Sequence, residues 1–225
     1  MKNTGNDIDY LSIMEGYTDN QSEMPLIKEE VAPYLSSKQQ GEYTLDDYYA
    51  IPDEYRVELI DGVIYDMASP RDVHQIVSNL INLKIFNYIE KKNGKCIIIT
   101  APMDVQLDRD DRTIVQPDIL VVCDRKKFVN GRIYGAPDFI VEVLSPATRK
   151  KDIRIKTSKY RKAGVREYWI VDIEKEQVIT HLFEESELAV LYTFKDKVDV
   201  GIFDKECRVD FAEIAEKISF LKEAI

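Results

Sequence analysis

Two histidines, three cysteines and nine glycines are thin resources for a chain of 225 residues, and each scarcity excludes a class of chemistry. His74 and His181 stand far apart, which leaves a zinc hydrolase without its ligand set. Cys96, Cys123 and Cys207 are scattered and show no metal-type spacing, so they read as buried thiols of an intracellular protein. The glycines never gather into a phosphate loop, and neither G-x-S-x-G nor a Ser/His/Asp or Cys/His arrangement occurs. No apolar run approaches the roughly 18–20 residues of a membrane span. Met1-Lys2-Asn3-Thr4 is followed by polar residues rather than an apolar signal core. Together these absences predict a cytoplasmic protein with no membrane partner.

Positive charge is also in deficit: the formal net charge is −10, which at first argues against nucleic acid. The deficit is local. Residues 1–54 hold 12 acids against 3 bases, and the remainder is close to neutral. Within that remainder, residues 149–162 carry eight bases and a single acid, Asp152. A run of this kind is either a solvated helix face or a local phosphate-binding patch.

Hydrophobic patterning predicts a flexible acidic extension over residues 1–40 and a single domain over 41–225. Thr44 caps a short helix, with Asp47 three residues on and Pro52 beyond its end. Arg56–Ile60 and Val63–Met67 flank Asp61-Gly62, a strong hairpin signal. A helix opens at Ser69-Pro70, carries Val73, Ile76, Val77, Leu80 and Leu83 at helical spacing, and stops at Asn93-Gly94. Strands are predicted at Cys96–Thr100, Met103–Leu107, Ile119–Cys123, Phe139–Leu144 and Glu167–Asp172. A basic helix begins at Ser145-Pro146 and is stopped by Gly164. Gln177–Phe183 and Ala189–Phe194 form an antiparallel meander, and Phe211–Leu221 closes the chain. The fold class is α/β, a mixed sheet flanked by helices.

Against this pattern a few charged positions stand out. Asp118 and Glu142 each interrupt or border an apolar, β-branched run, where an ionised carboxylate is costly unless a cation or hydrogen bonds satisfy it. Two acids at the ends of neighbouring strands suit a hard divalent cation, Mg²⁺ or Mn²⁺, with a backbone carbonyl near Val143 as a further oxygen donor. Asp138 shares a strand face with Glu142, but roughly 13 Å separates their Cα atoms, so Asp118 is the better partner. Lys156 supplies a positive group for the attacking water or the scissile phosphate, and Asp152, Lys156 and Tyr160 stack at i, i+4 and i+8. The alternative for Asp152 and Lys156 is a surface ion pair. Glu58 projects either toward the carboxylates or to solvent. His74 opens the long helix, where the macrodipole favours phosphate contact, although a lone histidine commonly has a structural hydrogen bond.

These residues resemble the Uma2 family, bacterial proteins of the PD-(D/E)XK restriction-endonuclease-like superfamily. The resemblance rests on Tyr43-Thr44-Leu45-Asp46-Asp47-Tyr48, Glu58-Leu59-Ile60-Asp61-Gly62, Ser69-Pro70 with His74, Gln116-Pro117-Asp118 and Gly135-Ala136-Pro137-Asp138. It continues through Glu142-Val143-Leu144-Ser145-Pro146, Asp152, Lys156, Tyr160, Ala163-Gly164-Val165 and Glu167-Tyr168-Trp169-Ile170-Val171-Asp172. Membership implies a restriction-endonuclease-like central mixed sheet and a Mg²⁺-dependent nuclease site. Where the superfamily pattern places its lysine, two residues after the second acid, this chain has Leu144. The resemblance then implies a lysine moved to the following helix, Lys156, with Lys151 and Lys159 as fallbacks.

The expectation is an endonuclease acting on DNA. Glu58, Asp118, Glu142 and Lys156 form its catalytic set, Asp118 and Glu142 hold the metal, and His74, Arg149, Lys151 and Lys159 contact the nucleic acid. Cutting two strands suggests a homodimer. The rivals are a non-catalytic nucleic-acid-binding or regulatory module that keeps the fold, and a metal-dependent hydrolase of a small phosphorylated molecule.

Overall fold

The structure is a computed structural model that describes residues 6–8, 31, 34–35, 38–67, 69–146 and 148–222. In chain order its strands are β1 (Asn6–Ile8), β2 (Val57–Ile60), β3 (Val63–Asp66), β4 (Ile97–Thr100), β5 (Val105–Gln106), β6 (Ile119–Val122) and β7 (Phe128–Val129). They continue as β8 (Arg132–Tyr134), β9 (Phe139–Val143), β10 (Glu167–Asp172), β11 (Gln177–Leu182), β12 (Ala189–Thr193), β13 (Lys197–Val200) and β14 (Cys207–Asp210). The helices are α1 (Leu45–Ala50), α2 (Asp72–Lys91), α3 (Thr157–Ala163) and α4 (Phe211–Lys222), with a π-helical turn, Lys151–Lys156, leading into α3.

A seven-stranded sheet, ordered β1-β12-β11-β10-β9-β6-β4, forms the centre. Within this sheet, among the described residues, only β9 and β10 pair in parallel, joined by the π turn and α3; β10, β11 and β12 make the expected meander. Of the predicted acidic extension, Asn6–Ile8 pairs antiparallel with β12, and most of residues 1–40 lies outside the described residues.

Side-chain alternation divides the core. Val121, Phe139, Val141, Trp169 and Val171 face α2, α4 and the β13–β14 hairpin. Leu120, Ile140, Tyr168 and Ile170 face the β2–β3 hairpin, the small β5-β8-β7 sheet and the π turn. Glu142 follows Ile140 in this alternation and therefore points to the second side, into the protein.

The β2–β3 hairpin turns through Asp61 (φ 52°) and Gly62 (φ 78°), the paired left-handed residues that a two-residue primed turn needs. The long helix starts at Asp72, three residues later than its sequence signal, and Asn93 (φ 50°) follows its end. Met103–Leu107 contributes only the two-residue β5.

The cysteine reading is corrected. Cys96 and Cys123 form a disulfide. Antiparallel pairing of Ile97 with Val122 brings the two residues just outside that pair opposite one another, a proximity that a separation of 27 residues hides. Cys207 is the buried free thiol. The argument for a reducing compartment from unpaired cysteines therefore falls away. Among the described residues no helix is long and apolar enough to cross a membrane.

Candidate active site

The register of β6 on β9 pairs Ile119 with Val141, so Asp118 and Glu142 come next to one another across adjacent strands. Both line one cavity of about 130 Å³, together with Glu58, Lys151, Asp152 and Lys156. Four separate elements deliver these groups: the ends of two central strands, the buried hairpin strand β2, and the π turn.

The π turn sets the lysines. On an α-helix two residues five apart lie about 140° apart around the axis, so Lys151 and Lys156 would face different ways. In the wider i→i+5 turn they fall on the same side. Lys151 Nζ lies 2.6 Å from Glu58 Oε2, and Lys156 Nζ lies 2.8 Å from Glu58 Oε1. Lys156 also reaches Glu142 Oε1 at 2.8 Å and Asp152 Oδ1 at 3.3 Å. All of these groups are buried, so the Asp152–Lys156 pair lies in the interior and not on a solvated helix face.

Glu58, on a strand buried along its whole length, faces the lysines and not solvent. It also accepts a hydrogen bond from the backbone N–H of Gln116 at 3.0 Å. Burial alone would raise its pKa, but the charges and hydrogen bonds of Lys151 and Lys156 outweigh that and hold it at about 2. Glu142 shows the opposite balance. Burial, with the neighbouring carboxylates of Asp152, Asp118 and Glu58, outweighs Lys156 and pushes it up to about 8. Tyr160, fully buried on α3, donates to Glu142 Oε1 at 2.6 Å. Sequence spacing placed Tyr160 in line with Lys156 but gave it no role; this hydrogen bond is the missing signal.

Asp118 is tied differently. Its Oδ2 accepts from the Val143 backbone N–H at 2.8 Å and lies 3.1 Å from His74 Nε2. Burial would lower the His74 pKa, but the hydrogen bond and charge of Asp118, the Val143 backbone and the Glu142 charge raise it. His74 thus sits against the candidate metal acid, and its Nδ1 is buried without a hydrogen-bond partner among the described residues.

The basic segment carries its own counter-ions. Arg149 binds Asp172 and, at 2.6 Å, Glu174. Lys159 binds Asp61 at 2.7 Å and also Asp108. Of the sequence-predicted residues, the cavity gathers Glu58, His74, Asp118, Glu142, Lys151 and Lys156, while Arg149 and Lys159 lie outside its lining. Asp138 is turned away, accepting from the Cys123 backbone N–H at 2.8 Å.

Around the cavity the carboxylates of Glu58, Asp118, Glu142 and Asp152 face the cations of Arg56, Lys151 and Lys156, which leaves one negative charge in excess when His74 is neutral and every carboxyl is ionised. Among the described residues no three His, Cys, Asp or Glu side chains form a ready-made metal cage. That donor chemistry fits Mg²⁺ or Mn²⁺ better than zinc. Magnesium is commonly held by one or two carboxylates, with water and substrate phosphate completing its shell.

The sequence profile of the Uma2 family, described as "Putative restriction endonuclease", matches residues 45–200. The chain belongs to the Uma2 family. An uncharacterised protein of Synechocystis, slr1290, is 28% identical over 95 residues, which cover 42% of this chain and 48% of that relative. The match thus spans about half the relative's length. A crystal structure described as a "putative nuclease belonging to DUF820", from Anabaena variabilis, superposes with a TM-score of 0.63 at 21% identity, covering 76% of this chain and 96% of the other. That likeness shows the fold, a mixed sheet flanked by helices. Uma2 membership supports a nuclease-like function.

Proposed function

We propose that this Uma2 protein is a Mg²⁺- or Mn²⁺-dependent endonuclease that hydrolyses phosphodiester bonds in DNA. The observation that carries the reading is one cavity where Asp118 and Glu142 come together from adjacent strands beside a lysine fixed by three carboxylates.

Asp118 and Glu142 would hold the cation, which supplies Lewis-acid polarisation of the phosphate and a water of lowered pKa. The chain's own groups do the rest. Lys156 keeps its proton, because burial is outweighed by Glu142, Glu58 and Asp152, which raise its pKa well above the ordinary lysine value. Its ammonium therefore stays charged, and on this reading it stabilises charge on the phosphate oxygens by giving up one of its three carboxylate partners for phosphate. Glu58 grips Lys151 and Lys156 together and fixes where that charge stands. Tyr160 orients Glu142 through Oε1. On this reading the lysine on the π turn stands in for that of the superfamily pattern, since the location of the ammonium matters and its place in the chain does not.

Arg149, Lys151 and Lys159 reach phosphate on this reading by exchanging carboxylate partners for it, and His74 reaches it by leaving Asp118. Cleaving both strands of a duplex calls for two such sites, so a homodimer is the proposed assembly. The test is nicking of supercoiled plasmid with Mg²⁺ or Mn²⁺ by the wild-type chain and by Asp118→Ala, with circular dichroism as the folding control. The wild type should nick and the variant should not; equal cleavage by a folded, clean Asp118→Ala preparation overturns the assignment.

A further inference from the structure

Two arginines outside the basic segment differ from those within it. Arg109 and Arg132 have no carboxylate partner among the described residues, and each lies against a tyrosine ring instead. The Arg132 guanidinium stands 5.8 Å from the centre of Tyr49, and that of Arg109 stands 5.6 Å from the centre of Tyr134. Arg132 and Tyr134 are alternate residues of β8, with Ile133 buried between them, so they share the outer face of that strand. The result is a row, Tyr49, Arg132, Tyr134, Arg109, in which aromatic rings and guanidinium groups alternate. Tyr49 and Tyr134 are 49% and 36% exposed.

The row is built and not incidental. Gly135 has φ 94°, and a Cβ placed there would meet the Arg109 side chain at 2.6 Å. The missing side chain thus gives Arg109 its path across the strand end. Arg132 Nη1 donates to the Tyr49 hydroxyl at 3.5 Å, while its buried Nε has no hydrogen-bond partner among the described residues.

The row also connects to the acidic cavity. Tyr49 lines a cleft of about 330 Å³ with Tyr55, Gln116 and Asp104, and Arg56 and Pro102 are common to that cleft and to the cavity. Asp104 is occupied there, accepting from the Tyr48 hydroxyl at 2.9 Å and the Gln116 amide at 3.0 Å.

We propose that this row is a track for an unpaired nucleic-acid strand leading away from the cavity, with bases stacked on Tyr49 and Tyr134 and phosphates held by Arg132 and Arg109. Exposed rings spaced by arginines are how proteins bind single strands without reading sequence, because every base presents a π-face. A duplex hides those faces, so the geometry selects an unpaired strand. The track rests on the nuclease reading only for the position of the scissile phosphate; its binding function does not depend on cleavage.

The experiment measures anisotropy of a fluorescein-labelled oligothymidylate of about 12 nucleotides on the full chain in EDTA, with a duplex of equal length beside it. Tyr49→Ala and Tyr134→Ala should each weaken single-strand binding roughly tenfold, whereas Tyr49→Phe and Tyr134→Phe should retain it. Arg132→Gln should flatten the dependence of log affinity on log salt by about 0.7. Unchanged single-strand affinity in both alanine variants overturns the track, whether or not the wild type cuts DNA. Equal losses on duplex and single strand overturn the unpaired-strand assignment. A wild type that fails to nick plasmid while the alanine variants still lose single-strand affinity leaves the track standing and sinks the nuclease reading alone.

Discussion

Lys156 Nζ lies 2.8 Å from Glu142 Oε1 in the protein interior, although Glu142 is a strand residue and Lys156 the last residue of a π turn. The same ammonium touches Glu58 and Asp152, so removing it takes a counter-charge from three buried carboxylates at once, of which Glu58 alone keeps a second lysine, Lys151. Lys156→Met should destabilise the chain by about 3–5 kcal/mol at pH 8, the range for breaking a buried pair from one side, and should abolish nicking. Acidification should recover part of the lost stability as the stranded carboxylates take up protons. Urea unfolding at pH 8 and pH 5 checks both. A loss of under about 1 kcal/mol at pH 8, the range typical of exposed pairs, would mean that the ammonium is dispensable to the cluster.

Much of this arrangement is legible in sequence because it rests on local rules. Asp61-Gly62 specifies its turn, and acids inside β-branched runs mark Asp118 and Glu142 as needing partners. What is not legible depends on neighbours distant in the chain. The π turn contradicts the helical spacing that α-type periodicity assumes, so the shared facing of Lys151 and Lys156 is invisible until the strands of the sheet are in place. The counter-ions of Arg149 and Lys159 come from Asp172, Glu174, Asp61 and Asp108, all at least 23 residues away in sequence. A basic run therefore looks more available than it is. Cys96 and Cys123 follow the same logic, paired by a strand register that composition does not contain.

The hairpin that carries Glu58 offers a test of positioning. At Gly62 a Cβ would lie 2.6 Å from the Gly41 carbonyl oxygen and 2.8 Å from Arg112 Nη2, at a positive φ of 78°. Gly62→Ala should cost about 1–3 kcal/mol from the strained backbone, with additional displacement of the hairpin. Because Glu58 moves with it, nicking should fall in the folded fraction as well. Chemical denaturation and a cleavage assay normalised to folded protein separate the two effects. Full specific activity in a destabilised variant would show that the hairpin turn does not set the lysine geometry.

The pH dependence of stability follows from groups whose native pKa departs from the ordinary value. Glu142 at about 8 and Glu167 at about 7, both raised by burial, bind protons in the folded chain that the unfolded chain releases above about 4.5. His74 is also raised, in spite of its burial, by Asp118. All three contributions favour the native state in acid and fade as pH rises. His181, lowered to about 4 by burial between Tyr168 and Phe183, works in the opposite direction between about 6.5 and 4. Glu58 at about 2 loses its contribution only below about 4.5. Without divalent cations, Tm should therefore be highest near pH 4.5–5 and decline toward pH 8. A Tm that rises steadily from pH 5 to pH 8 in EDTA would contradict the raised carboxyls.

Divalent cations should reverse that decline, because the proton on Glu142 occupies the place a cation would take. At pH 8, Mn²⁺ or Mg²⁺ should raise the Tm of the wild type by mass action, while Asp118→Asn and Glu142→Gln should show little increase. Near pH 7, where Glu142 is still largely protonated, binding should release close to one proton. Calorimetry in two buffers of different ionisation enthalpy measures that release, and Glu142→Gln should abolish it. Ca²⁺, which prefers six to eight oxygen ligands, should bind more weakly than Mn²⁺ to so small a donor set. Equal stabilisation of the wild type and both variants by Mn²⁺ would place the cation elsewhere and remove Asp118 and Glu142 from the proposed site.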